Sequence, residues 1–289
     1  MMVAANVPTI VITGFLGSGK TTFINEFTPR LQASGAEVAV LINEIGDVNV
    51  DRLLIAESDY CTEVNRGSIF CTCVQADLWA ALRKIAAIEP DILLLEATGV
   101  AAPSKLDGVN QVLQVCLADA GNFYKIAQTM AAARWQASTA QVIIVTGSDK
   151  ATAEQLALTQ SELTRLNSNA LVVVAPYTRL PETVWQMIID AVIGGKAITP
   201  VVEAEDKDRP KDRPRDLFST QLLHMKPLDN ASQLPTVLTM LPTNTLRAKG
   251  FIYVDGHLHL LQYANGRAEL FPAPKAVVDG GYLVVVVRR

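Results

Sequence analysis

Short apolar runs, each ending on polar or glycine-rich positions, recur along the chain as far as Ala175. Pro8-Thr9-Ile10-Val11-Ile12-Thr13 leads into the stretch GFLGSGKTT, Gly14 to Thr22, and Phe23-Ile24-Asn25-Glu26-Phe27 then reads as a helix. Glu37–Ile42 is a second apolar run, ending at Asn43-Glu44-Ile45-Gly46-Asp47. A polar stretch follows as far as Cys61 and the segment Gly67–Cys73. Ala76–Ile85 has helical period, and Asp91–Leu95 is a continuous apolar run that lands on Glu96-Ala97-Thr98-Gly99. Further strands are predicted at Val112–Ala118, Val142–Val145 and Ala170–Ala175, with helical stretches between them. Runs buried on both faces and alternating with helices predict a mostly parallel sheet, hence an α/β fold.

The pattern breaks at Glu203–Asp216, where mixed charges and two Arg-Pro pairs cannot form a core. An exposed linker is expected there. The balanced signs argue against a nucleic-acid-binding tail. After it, a helix is predicted around Ala231–Met240 and strands at Ala248–Val254, His257–Tyr263 and Tyr282–Val287, which describes a small α+β domain. The expected organisation is therefore residues 1–202, a linker at 203–216, and a second domain at 217–289.

Composition narrows the class. A chain of 289 residues exceeds a usual single domain, and 49% hydrophobic residues suffice for a sizeable core. The net charge of −4 gives no support for a nucleic-acid partner. No apolar run approaches a membrane span of about 20 residues, and no basic stretch precedes the apolar one at the start, so neither a membrane nor a secretory signal is expected. The four cysteines, Cys61, Cys71, Cys73 and Cys116, are too few for a disulfide scaffold of this size. Reduced thiols and a cytoplasmic location are expected.

Gly14, Gly19, Lys20 and Thr21 fit the spacing G-x-x-x-x-G-K-[ST] in the strand–turn–helix setting that a phosphate-binding loop requires. Gly17 and Gly19 let backbone N–H groups approach phosphate oxygens. The helix start adds its N–H groups and the positive end of its dipole. In this reading Gly17, Ser18, Gly19, Lys20, Thr21 and Thr22 surround a nucleotide. Lys20 reaches the β- and γ-phosphates, and the Thr21 hydroxyl binds Mg²⁺.

Read in order, the P-loop, Asn43–Asp51, Leu93–Gly99 and Arg247-Ala248-Lys249-Gly250-Phe251 resemble the CobW family of P-loop GTPases, relatives of the hydrogenase and urease nickel-insertion GTPases. The resemblance implies GTP as ligand, slow hydrolysis, and delivery of a metal to, or activation of, a metal- or corrinoid-dependent client. It assigns Glu96, at a strand end beside the P-loop strand, to the Mg²⁺ shell or its waters, with Gly99 leaving room for the γ-phosphate. Asp47 takes the place of a metal-binding acidic residue in the first switch, where a plain polar loop is the other reading.

The chain departs from the family at two points. The family's C-x-C-C falls on Ser68, Phe70 and Cys71, with Cys73 added beyond it. Zn²⁺ or another soft ion takes three or four N or S ligands. Cys71 and Cys73 supply two, with Cys61 as a third candidate, and buried free thiols are the competing reading. Where the family has N-K-x-D for reading guanine, this chain has Thr146-Gly147-Ser148-Asp149. Asp149 keeps the carboxylate, so GTP is expected with weakened base discrimination. His257 and His259 share a strand face and are either part of a metal site or a surface pair. Arg247 and Lys249 are expected to support the contact between the domains. A non-catalytic nucleotide sensor remains the alternative function, and the oligomeric state is open.

Overall fold

The computed structural model describes residues 7–43, 60–64, 75–99, 109–176, 179–194, 198, 218–264, 266–274, 277 and 280–288. Asp47, Cys71, Cys73 and the charged stretch 203–216 lie outside the described residues.

The first part contains β1 (Pro8–Gly14), β2 (Val38–Asn43), β3 (Tyr60–Val64), β4 (Ile92–Glu96), β5 (Asn110–Asp119), β6 (Val142–Thr146) and β7 (Leu171–Val174). They form one seven-stranded sheet in the order β3-β2-β4-β1-β5-β6-β7. Every pairing in it is parallel. β2, β4 and β6 are buried along their whole length, as uninterrupted apolar runs require.

Helices α1 (Lys20–Ala33), α2 (Gln75–Ala86), α3 (Phe123–Thr129), α4 (Ala131–Thr139), α5 (Ala153–Leu166) and α6 (Glu182–Ile193) cover both faces. On one face Ile10, Ile12, Val40 and Leu94 meet Phe23 and Phe27 of α1 and Trp185 of α6. The Trp185 ring stacks on both phenylalanines at 5.3 Å between centroids, which fixes α1 beneath the loop that precedes it. On the other face Val11, Leu41 and Leu95 meet Leu78, Leu82 and Ile85 of α2. Beside them Cys116, Ile143 and Val145 meet α3, α4 and α5.

The second sheet is antiparallel throughout. Its strands are β8 (Phe218–His224), β9 (Thr245–Val254), β10 (His257–Ala264), β11 (Arg267–Pro272) and β12 (Tyr282–Arg288), in the order β11-β10-β9-β12-β8. One face packs Ala248, Ile252, Leu261, Leu283 and Val285 against Val237 of α7 (Leu234–Thr239). The helix expected over Ala231–Met240 is broken into a 3₁₀ turn, Ala231–Gln233, and this α7. Pro235 fits the break: it falls in the first turn of α7, where its missing N–H would have had no partner within the helix. The opposite face turns toward the parallel sheet, where Phe218 and Val286 join the cluster that holds Phe15 and Leu16. Among the described residues no helix is long and apolar enough to cross a membrane.

Candidate nucleotide site

From β1 the chain moves to β2 and β3 on one side, returns to β4, then crosses to β5 on the other side of β1. The carboxyl end of β1 is therefore the point where strand order reverses and a crevice opens above the sheet. Gly14 to Gly19 fill that position. Gly14, Gly17 and Gly19 have φ of 140°, 76° and 97°, a region that side-chain-bearing residues avoid. A Cβ on Gly14 would stand 2.4 Å from Ser18 Oγ and 2.5 Å from the Leu117 carbonyl oxygen. Gly19 is also the N-cap of α1 and makes no side-chain cap bond, and the first turn holds no acidic residue. The helix thus presents a positive end to the crevice.

Hydrogen bonds hold the loop in this shape. The Ser18 N–H donates to the Phe15 carbonyl at 3.1 Å, and Phe23 N–H to Gly19 at 2.9 Å. The buried Lys20 ammonium folds back over the loop and donates to the carbonyls of Gly14 (3.1 Å) and Phe15 (3.4 Å). The Thr146 hydroxyl at the end of β6 donates to the Ser18 carbonyl at 2.9 Å. Thr146, read from the sequence only as the residue replacing a base-reading Asn, therefore braces the P-loop from behind.

A cavity of about 410 Å³ lies over this loop, within the range of about 300–1,000 Å³ usual for small ligands. The P-loop wall contributes Gly17, Ser18, Gly19, Lys20, Thr21 and Thr22, and Glu96 and Asn25 stand beside them. Glu96 is buried at the end of β4, in register with Ile12 of β1. Gly99 is required by close approach: a Cβ there would stand 2.7 Å from the Leu16 backbone nitrogen. Its carbonyl accepts from Gln136 Nε2 at 3.3 Å.

Asp119, Lys150, Thr146 and Gly147 form the next stretch of wall. Asn122 Nδ2 donates to Asp119 Oδ1 at 2.9 Å. Burial pushes the Asp119 carboxyl above the usual carboxylate range, against the opposing pull of the Asn122 bond and the Arg267 charge. Lys150 forms an ion pair with Glu269, and Arg267 donates to the Lys150 carbonyl at 2.9 Å. Sequence reasoning missed Asp119 and Lys150. A carboxylate at the end of a strand flanking the P-loop strand is the signal that would have found Asp119, as it found Glu96.

Other predicted residues stand apart. Gly14 is buried behind the loop, and Asp149 is exposed, outside the residues lining the cavity. His257 is exposed and His259 half-buried, on the face of β10 that carries Leu261, away from the face that carries Gln262 of the cavity. Cys61 on β3 is half-buried against the α1–α6 face. Cys116 is fully buried on β5, and burial pushes its thiol up to about 12. Among the described residues no three or more His, Cys, Asp or Glu side chains gather to hold a metal ion.

Residues 8–174 match the family described as CobW/HypB/UreG, nucleotide-binding domain. The zinc chaperone CobW of Pseudomonas aeruginosa is 31% identical over 117 residues, 37% of this chain and 31% of its own length. The zinc chaperone YeiR of Escherichia coli is 39% identical over 103 residues, 34% of this chain and 30% of its own. The chain spans about a third of the length of these curated relatives. Among solved structures, the Zn(II)-bound YjiA GTPase of E. coli aligns over 98% of this chain and 94% of its own, with 20% identity and a TM-score of 0.44. The family match takes in more than half of the residues and runs from the first strand of the parallel sheet to the last, so the chain belongs to the CobW/HypB/UreG family.

Proposed function

We propose that this chain binds GTP with Mg²⁺, hydrolyses it slowly, and uses the change of nucleotide state to hand a metal ion to a metal- or corrinoid-dependent client protein in the cytoplasm. The carrying observation is the loop itself: three left-handed glycines and the buried Lys20 at the carboxyl end of the central strand. Lys20 already bonds two backbone carbonyls of the loop. On binding it exchanges them for β- and γ-phosphate oxygens.

The donor set suits Mg²⁺. Thr21 and Glu96 line the same cavity, and the buried Ser18 Oγ makes no hydrogen bond among the described residues. Thr21 would hold the ion directly and Glu96 through its waters, with Asp47 a further ligand. When bound, the ion neutralises charge on the phosphate oxygens. Glu96 would also orient the attacking water, and loss of the γ-phosphate would release the segment around Asn43–Asp51.

Base selectivity is proposed to be modest. The Thr146 hydroxyl is engaged by the P-loop, Gly147 has no stem to cover a base, and Asp149 lies outside the cavity wall. These features reduce the preference for GTP over ATP, which rests on the Asp149 carboxylate, to about 10–100-fold, well below the 10⁴–10⁵ of a fully hydrogen-bonded site. They also support the second reading, a nucleotide sensor without turnover. The names of the zinc chaperone relatives support zinc as the cargo. Cys71 and Cys73, joined by Cys61 or a client's side chain, would carry it as an exchangeable site.

The experiment is single-turnover release of phosphate from GTP by the purified chain, with ATP as competitor. Slow release, competed only by a large excess of ATP, is expected. Tight binding without release would leave the sensor reading, and ATP equal to GTP would remove the guanine assignment. For the cargo, a Cys71→Ser, Cys73→Ser double variant titrated with Zn²⁺ against a chelating indicator should lose affinity, and unchanged affinity would exclude this pair.

A further inference from the structure

The cavity has a second wall, built by the antiparallel sheet. Two rows of side chains run across one face of that sheet. The first is Val284 on β12, Lys249 on β9, Gln262 on β10 and Glu269 on β11; the second is Val286, Arg247, Ala264 and Arg267 on the same strands. Alternation along each strand puts both rows on one side, the side away from the Ala248–Ile252–Leu261 core. Arg247, Lys249, Gln262 and Glu269 all line the cavity that holds Gly17–Thr22.

Both ends of these rows are tied to the parallel sheet. At the β12 end, Val286 and Phe218 share a buried cluster with Phe15 and Leu16 of the P-loop. At the β11 end, Glu269 pairs with Lys150 and Arg267 donates to the Lys150 carbonyl, just beyond β6. Neighbouring strands lie about 4.8 Å apart, so each row spans about 14 Å. The two cations stand on β9, the strand next to β12, and so near the P-loop end of the span. Gln262 stands nearer the Lys150 end.

Charge follows the same layout. Of the described charged residues lining the cavity, Lys150 and Glu269 pair with each other, and Lys20, Arg247 and Lys249 stand on the same cavity as Glu96 and Asp119. Lys20 on one wall and Lys249 on the other are each only 5% exposed. A polyanion between the walls meets two ammonium groups already held out of bulk water, where charge-assisted hydrogen bonds are stronger than in the open. A nucleoside triphosphate supplies that anion at the P-loop end, where α1 also points its positive end.

We infer that Arg247 and Lys249 are phosphate-binding residues, so that the antiparallel sheet forms the second wall of the triphosphate site and nucleotide binding is coupled to its docking. This rests on the nucleotide reading of the cavity and extends it to residues outside the matched 8–174. Loss of the γ-phosphate weakens the bridge between the walls, which gives the nucleotide state a direct hold on the C-terminal sheet.

The test uses the full chain and a fluorescent N-methylanthraniloyl GTP, with inorganic tripolyphosphate as competitor. Lys249→Met should weaken GTP and tripolyphosphate alike by about 10- to 100-fold, as expected for losing one charge-assisted hydrogen bond, and Lys249→Arg should restore part of the loss. Arg247→Gln, at a half-buried position where folding is less at risk, should act in the same direction. In the unaltered chain GTP should slow amide exchange in β9 and β10. A purely structural role predicts lower thermal stability without nucleotide and unchanged affinity for both probes, and that result overturns the inference. Should both variants keep normal affinity while Lys20→Ala loses it, the nucleotide site stands and its second wall does not. Absence of GTP binding by the unaltered chain removes both.

Discussion

On one side of the cavity, nine consecutive residues, Gly14 to Thr22, turn the end of a buried strand into the start of a buried helix. On the other, Arg247, Lys249, Gln262 and Glu269 are brought together from three strands of an antiparallel sheet. The first wall is built from backbone: its glycines hold left-handed angles, and packing behind them fixes those angles. The second works through side chains whose spacing is set by strand register. A backbone wall is therefore sensitive to any added Cβ, whereas a side-chain wall is sensitive to the charge and length of particular residues. The first is anchored in the core through Trp185, Phe23 and Phe27. The second reaches it through Phe218, Val286 and the contacts of Lys150 with Glu269 and Arg267.

This contrast can be broken most severely at Gly99. Gly99→Ala places a Cβ within 3 Å of the Leu16 backbone nitrogen, so the P-loop itself must shift. Overpacking of this kind costs about 1–3 kcal/mol. Urea unfolding should register the loss, and GTP affinity should fall with it; an alanine variant of unchanged stability and affinity would show that the wall yields.

A smaller effect is expected at Asp119, between the two walls. Its carboxyl is raised in the folded protein, so the folded state holds the proton more tightly than the unfolded one. Stability from this group is therefore greatest at acid pH and is lost as pH rises from the usual carboxylate range through the raised folded value. Urea unfolding of Asp119→Asn against the unaltered chain, from pH 4 to 7, should show the variant gaining relative stability with rising pH. A difference that stays flat or runs the other way would contradict the burial argument.

The smallest effect belongs to the tie between the walls. Lys150 and Glu269 keep 28% and 43% of their side chains exposed, and an ion pair so placed is worth about 0–1 kcal/mol. Glu269→Gln should cost no more than that, and moderate salt should erase the difference. A larger loss would mean that the pair, rather than the apolar contact at Phe218 and Val286, holds the sheets together.

The same contrast governs how much could be read from the sequence. The P-loop, the central strands and Glu96 were legible because each is local: a fully apolar run, then a motif of fixed spacing. Three strands were not anticipated, Tyr60–Val64, Phe218–His224 and Arg267–Pro272, and all three are sheet edges. An edge strand has one neighbour and more solvent, so its alternation blurs, as the half-exposed Arg267–Pro272 illustrates. Arg247 and Lys249 were visible as a basic pair expected to support the contact between the domains, but their place over the P-loop depends on register across β9, β10 and β12. Pairing between distant segments cannot be read from local pattern. Thr146 was seen as a lost base contact because its hydrogen bond to Ser18 spans 128 positions of sequence.

The central claim is that the loop at the end of β1 holds a nucleotide by its phosphates. Calorimetric titration of GTP·Mg²⁺ into the full chain and into Lys20→Ala tests it most directly. One site per chain is predicted for the unaltered protein and no measurable binding for the variant, with the fold retained by circular dichroism. Near-normal affinity in Lys20→Ala would contradict the account.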